Sequence, residues 1–146
     1  MHKYIQMLEI FLHIIFYDLW FYATHIILHH PKLYFIHKIH HRKNYKLLYY
    51  LDANNGHVLE HAVQPLGIFL PCLTRGFSTS VLVISFIIVG LRGFMRHDDR
   101  FSWLIGNHHL LHHKYQKYNF GEYWIDEIFG TIYPNKNEYI YGIIYT

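Results

Sequence analysis

From Ile5 to Leu28 the chain reads IQMLEIFLHIIFYDLWFYATHIIL, an apolar and aromatic run about as long as the ~20 residues needed to cross a bilayer as a helix. Glu9, His13, Asp18 and His25 interrupt it. Polar groups inside a membrane are costly and face a protein interior, so Asp18 and His25 are expected to point inward. A buried helix of a soluble domain is the competing reading. A second apolar region runs from Ala62 to Leu91 and is broken by Pro71, Thr74, Arg75 and Gly76, a turn signal that predicts a hairpin. Each arm is short for a full span, so the hairpin is expected to be re-entrant or to thin the bilayer.

Outside these segments lie two polar stretches, Pro31 to Gly56 and Arg92 to Thr146, rich in His, Lys, Arg and Tyr. One span followed by a hairpin puts both on the same side. Arg42, Lys43, Lys46, Arg92, Arg96, Arg100, Lys114 and Lys117 fall there, which the positive-inside rule makes cytoplasmic. Arg75, in the hairpin turn, counts against that orientation. The 146 residues fit one domain, 1–146, with no internal repeat. A net charge of +3 is too small for a nucleic-acid-binding face and suits a headgroup surface better. The single Cys72 forms no internal disulfide and reads as a buried spectator. No small-residue cleavage site follows the first apolar run, which argues against a cleaved signal peptide.

Fifteen histidines are the outstanding feature, because imidazole is the commonest metal ligand. His25 and His29 are four apart and stack on one face at the polar end of the first span. His37, His40 and His41 form an HxxHH triplet, and His109, His112 and His113 repeat it. The i, i+3, i+4 spacing predicts that each triplet shares a helical face. His97, at the end of the hairpin, is a further candidate. Interfacial histidines scattered at a membrane surface would not repeat this spacing. No HExxH is present, and one structural zinc needs only four ligands. These histidines supply two metals at four or five ligands each and leave positions for oxygen; imidazole suits iron or zinc. His57 and His61, flanking Glu60, are candidates for ligands or for hydrogen bonding to ligand rings. Asp18, Glu60, Asp98, Asp99 and Asp126 are carboxylates that could orient those rings. For Asp126, bracing the surrounding loop is an equal reading. His30 and His108 point off the ligand faces, and His2 and His13 belong to no cluster. The expected fold class is therefore all-α: an integral-membrane domain with one transmembrane helix, a helical hairpin and a cytosolic His-rich dimetal cap.

At these residues the sequence resembles the fatty acid hydroxylase/sterol desaturase superfamily. DLWFYATHIILHH (Asp18 to His30), HKIHH (His37 to His41) and HHLLHHKYQKYNFGEYWIDEIFGT (His108 to Thr131) carry the likeness. HVLE (His57 to Glu60) is similar to an HPxE element, with Val58 where proline is usual. The resemblance implies a membrane oxidoreductase that hydroxylates or desaturates a lipid with dioxygen. The catalytic ligands it implies are His25, His29, His37, His40, His41, His109, His112 and His113, with His97 added as a metal ligand. It implies two transition-metal ions (iron, with zinc as the alternative), a fatty acyl or sterol substrate, and a separate electron donor such as a b-type cytochrome with its reductase. Its location would be an endoplasmic-reticulum-type membrane in a eukaryote. Two departures stand out: fuller members carry an additional N-terminal membrane hairpin, and histidine pairs before the final box are reduced here to His97, with Phe101 at i+4. A catalytically degenerate metal-binding scaffold is the competing function, and a metal transporter is disfavoured by the lack of ionisable residues from Val81 to Val89. The short apolar arms also predict a homodimer through Val81 to Val89.

Overall fold

The computed structural model describes residues 2–76 and 78–144, without the side chains of His2 and Lys3. Every regular element among them is helical. The first helix, α1 (His2–His29), has no Gly or Pro in its 28 residues and is about 42 Å long at 1.5 Å per residue. It stops two residues before Pro31, where the proline ring disfavours a continued helix. The chain then turns through α2 (Tyr34–His37) and two 3-10 turns, Tyr45–Leu47 and Tyr50–Asn54.

The chain next runs back along α1 as α3 (Val58–Val63), a 3-10 stretch (Gln64–Phe69) and α4 (Cys72–Arg75). The expected hairpin is present, but its first arm is not one continuous α-helix. Pro65 and Pro71 remove two amide donors within it. The arm is held to α1 by polar contacts instead: the Trp20 indole donates to Val63 O at 2.9 Å and the His13 ring meets Ile68 O. Gly67 permits the close approach, since a Cβ there would lie 2.4 Å from Trp20 Cβ. Cys72 is half-buried rather than buried.

Gly76, with φ +82°, ends α4, and α5 (Thr79–Arg96) returns to the starting end. Val81, Leu82, Ser85 and Val89 face inward, while Val83, Ile84, Ile87, Ile88 and Leu91 are exposed. Asp18 of α1 and Arg92 of α5 form a buried ion pair, satisfying the expectation that Asp18 points inward. Both α1 and α5 are long and apolar enough to cross a membrane, and only 33% of each apolar window is buried within the chain. The remaining residues of both windows are half-buried or exposed, an apolar surface that a lipid surround accommodates better than water.

Beyond α5 lie a 3-10 turn (Asp99–Phe101), α6 (Ser102–Ile105), α7 (His108–Tyr115) and α8 (Tyr123–Phe129). The α7–α8 connection is tightly specified. Gln116 and Asn119 both take left-handed backbone conformations (φ 58° and 60°), a region Asn tolerates better than most residues. Asn119 is fully buried; its amide donates to His108 O and its oxygen accepts from Tyr133 N and the Tyr139 hydroxyl. Asp126, also fully buried, accepts from Phe120 N, Gly121 N, the Thr131 hydroxyl and His108 Nε2 at 2.6–3.0 Å.

Candidate metal centre

The end of the bundle where α1 stops, α3 begins and α5 stops gathers the nine candidate histidines into two groups. His25, His29, His37, His41 and His112 form the first; His40, His97, His109 and His113 form the second. Within each group the nearest ring nitrogens all lie within 4.8 Å of one another. Each HxxHH triplet is divided between the groups. His37 and His41 go to one and His40 to the other; His112 goes to the first, His109 and His113 to the second.

The first triplet is not a single helical face, contrary to the spacing expectation. The α-helix ends at His37, and His40 N bonds back to His37 O in an i+3 turn. In both triplets the i, i+4 pair shares a group and the remaining histidine joins the other. The second triplet is wholly helical.

Hydrogen bonds fix which nitrogen each ring presents. His25 Nδ1 donates to Phe120 O, His112 Nδ1 to Tyr118 O at 2.7 Å, His97 Nδ1 to Gly93 O at 2.7 Å and His40 Nδ1 to Asn55 O at 3.1 Å. His37 Nδ1 donates to Glu60 Oε1 at 2.8 Å. A carbonyl only accepts, so a neutral ring bonded this way carries its proton on Nδ1 and offers a bare Nε2 lone pair. Those lone pairs converge: Nε2 of His25 and His37 are 2.9 Å apart and those of His40 and His97 3.0 Å, and Nε2 of His41, whose Nδ1 has no partner, lies 2.9 Å from that of His37.

Two bare lone pairs at that separation repel unless a cation lies between them. Ligands at right angles on a metal with N–metal bonds of 2.0–2.1 Å would be about 3.0 Å apart, which matches. Both nitrogens of His113 are buried without a hydrogen-bond partner, a costly state that ligation relieves for the nitrogen it uses. The donor set therefore fits two transition metals held by imidazole.

Electrostatics agree with neutral ligands. Burial pulls the pKa of His37 and His40 down from 6.5 to about 4. Burial, reinforced by neighbouring imidazoles, also lowers His41, His109, His112 and His113, and His97 falls through burial and His40. Unprotonated rings are the form a metal binds. Burial instead pushes the Glu60 carboxyl up, opposed by the nearby His40 and His61.

Of the five candidate carboxylates, only Glu60 bonds a ring in either group. Asp18 pairs with Arg92, Asp98 with Arg100, and Asp99 accepts from Ser102. Asp126 braces the loop and holds His108. His57 caps α3 through Leu59 N, His61 lies at the cavity wall, His30 is exposed, and His13 sits far along α1. The side chain of His2 lies outside the described residues. Sequence reasoning missed the carbonyls of Asn55, Tyr118 and Phe120, which no residue type announces. It also missed Glu122, which pairs with Arg96 close to the metal centre. A cavity of about 90 Å³ adjoins His37, His40, His97 and His109.

The sequence pattern of the fatty acid hydroxylase family matches residues 10–131, well over half of the chain. The chain belongs to the fatty acid hydroxylase family. No solved structure matches it. For this fatty acid hydroxylase family member, the matched region contains all nine clustered histidines, Glu60 and the Asn119–Asp126 brace. Family membership suggests an oxidoreductase, and together with the two apolar helices it suggests a membrane protein.

Proposed function

We propose that the chain is a dioxygen-dependent lipid hydroxylase or desaturase with a histidine-ligated binuclear metal centre. The observation that carries this reading is the pair of imidazole groups, His25, His29, His37, His41 and His112 beside His40, His97, His109 and His113, set at the end of two apolar helices. Two redox-active metal ions would supply the activation of dioxygen, which iron can do and zinc, fixed in one oxidation state, cannot; two electrons come from an external donor and two from the substrate. In hydroxylation one oxygen atom enters a C–H bond and the other leaves as water with two protons; in desaturation both leave as water.

The chain's own residues do the rest. Backbone carbonyls and Glu60 hold the ring protons on Nδ1, which keeps Nε2 free for ligation. The buried ion pairs Asp18–Arg92 and Glu122–Arg96 tie the helices together just beneath the rings. The apolar faces of α1 and α5 shelter the lipid chain and exclude water. No electron-carrying cofactor motif accompanies the histidines, so a b-type cytochrome with its reductase would deliver the electrons. We place the protein as a multi-pass membrane protein with its metal centre on the cytoplasmic side, and as a homodimer through the outer face of α5. The eight box histidines would be catalytic and His97 would complete the second metal's ligands.

The test is lipid profiling of cells with and without the chain, paired with dioxygen uptake by the purified protein given a reductant. A hydroxylated or desaturated lipid that appears only with the intact chain and dioxygen supports the reading. Bound metal with no dioxygen uptake and no lipid change would overturn it in favour of a metal-binding scaffold.

A further inference from the structure

One face of α5 carries Phe86, Val89, Gly90 and Gly93 at helical i, i+3, i+4 and i+7 spacing and ends at His97. Along it lies a second cavity of about 220 Å³, whose opposite wall is Pro65 and Ile68 of the broken return arm. It shares Val89, Gly93 and Gln64 with the 90 Å³ cavity beside the metal centre, so the two adjoin. From Phe86 to His97 the stripe runs about 16 Å at 1.5 Å per residue. A Cβ added at Gly90 or Gly93 would meet nothing within 4 Å. Glycine inside a helix costs about 1 kcal/mol relative to alanine, yet no packing requires it at either position; what these glycines keep is open space.

At the inner end the space is polar. Glu60 is 3% exposed, and its Oε2 has no hydrogen-bond partner while Oε1 is engaged by His37. Gln64 Nε2, on the same cavity wall, is also buried and unpartnered. One side chain thus lacks a donor and the other lacks an acceptor. Unsatisfied buried polar atoms cost about 1–3 kcal/mol each, and a group able both to donate and to accept relieves both. A hydroxyl or an amide does this; a carboxylate cannot donate and meets the Glu60 carboxyl.

We infer that the groove between α5 and the 64–69 segment receives the chain of a lipid whose neutral hydroxyl or amide group bonds Glu60 Oε2 and Gln64 Nε2 beside the metal centre. Gly90 and Gly93 are the residues that keep the groove open, and Gln64 selects the head group. This rests on the lipid-oxygenase reading.

The test uses photo-crosslinking in membranes, with three probes of the same long chain carrying a diazirine near its far end and finishing as an alcohol, a primary amide or a carboxylic acid. The alcohol and amide should label the groove walls around Phe86 and Pro65, and the acid should label them about tenfold less, equivalent to ~1.4 kcal/mol of binding. Gly90→Leu should cut the labelling about tenfold, with metal content as in the wild type and a melting temperature no lower than the wild type's, whereas Gly90→Ala should keep the labelling. Gln64→Leu should erase the preference between alcohol and acid. Equal labelling of Gly90→Leu, adducts confined to Ile84 and Ile88 on the outer face, or equal labelling by the acid would overturn the inference. Labelling needs neither dioxygen nor electrons. A chain that labels as expected but consumes no dioxygen would overturn the oxygenase reading and leave the groove intact.

Discussion

Glu60 lines the cavity beside the rings, orienting the His37 ring with one oxygen and keeping the other buried without a partner. Glu60→Gln keeps an acceptor for His37 Nδ1–H but removes the charge that strengthens that bond. Loss of such a partner typically lowers metal affinity by ~10–100-fold. Competition against a chelator should show that weakening, with a normal helical content; an unchanged affinity would remove Glu60 from the centre. Protonation gives a second expectation. His37 and His40 have folded pKa values of about 4 against 6.5 for the free ring, so between those values the unfolded chain binds more protons than the folded one. Stability of the metal-stripped protein should therefore be full above pH 6.5 and fall as pH drops from 6.5 towards 4. A melting temperature that is higher at pH 5 than at pH 7 would contradict this. The ligand candidates were legible because i, i+3, i+4 spacing is a property of sequence. Their division between two groups was not, since it depends on how α1, α2, α5 and α7 meet at one end of the bundle. Nor could sequence rank Glu60 above the other four carboxylates, because every one of them finds a partner and only folding decides which is a ring.

The α7–α8 connection is the element on which the rings' positions depend most. Asp126 fixes Phe120 N and Gly121 N, and that orients the Phe120 carbonyl towards His25 Nδ1. Gly121 packs so closely on Tyr22 that a Cβ would lie 2.9 Å from its ring. Asp126→Ala strips the acceptor from several buried donors, at about 1–3 kcal/mol each and not fully additive. A destabilisation of about 3–5 kcal/mol is expected, seen as a lower urea midpoint or as loss of folded protein. A shift under ~1 kcal/mol would show that the brace is dispensable. The Asn119–Thr131 stretch was readable as a unit from its family-like spacing, with bracing as one of two readings for Asp126. The return arm was only half readable: the turn at Gly76 was clear, but the apolar run from Ala62 hid a 3-10 segment. Pro65, unused in the sequence reading, is the residue that could have signalled it, and the need of Gly67 for contact with Trp20 is visible only once α1 lies alongside.

Across the whole molecule, α1 and α5 run parallel towards one end, and the broken arm supplies the return path, so both His-rich stretches meet there as a span plus a hairpin requires. Ile84 and Ile88 are 43% and 39% exposed on α5, on the face opposite its contacts with the rest of the chain. Cysteine at either position, in a Cys72→Ser background, should form a disulfide-linked dimer in native membranes; only monomer in membranes that retain bound metal would refute the dimer. The central claim is that one chain holds two metals through separate imidazole groups. Elemental analysis of the purified protein tests it most directly, comparing the wild type with His113→Ala, which removes a ring from the second group alone. Two metal ions per wild-type chain and close to one in the variant are expected, the first group remaining loaded. One ion or none in the folded wild type, or two ions retained in the variant, would contradict it.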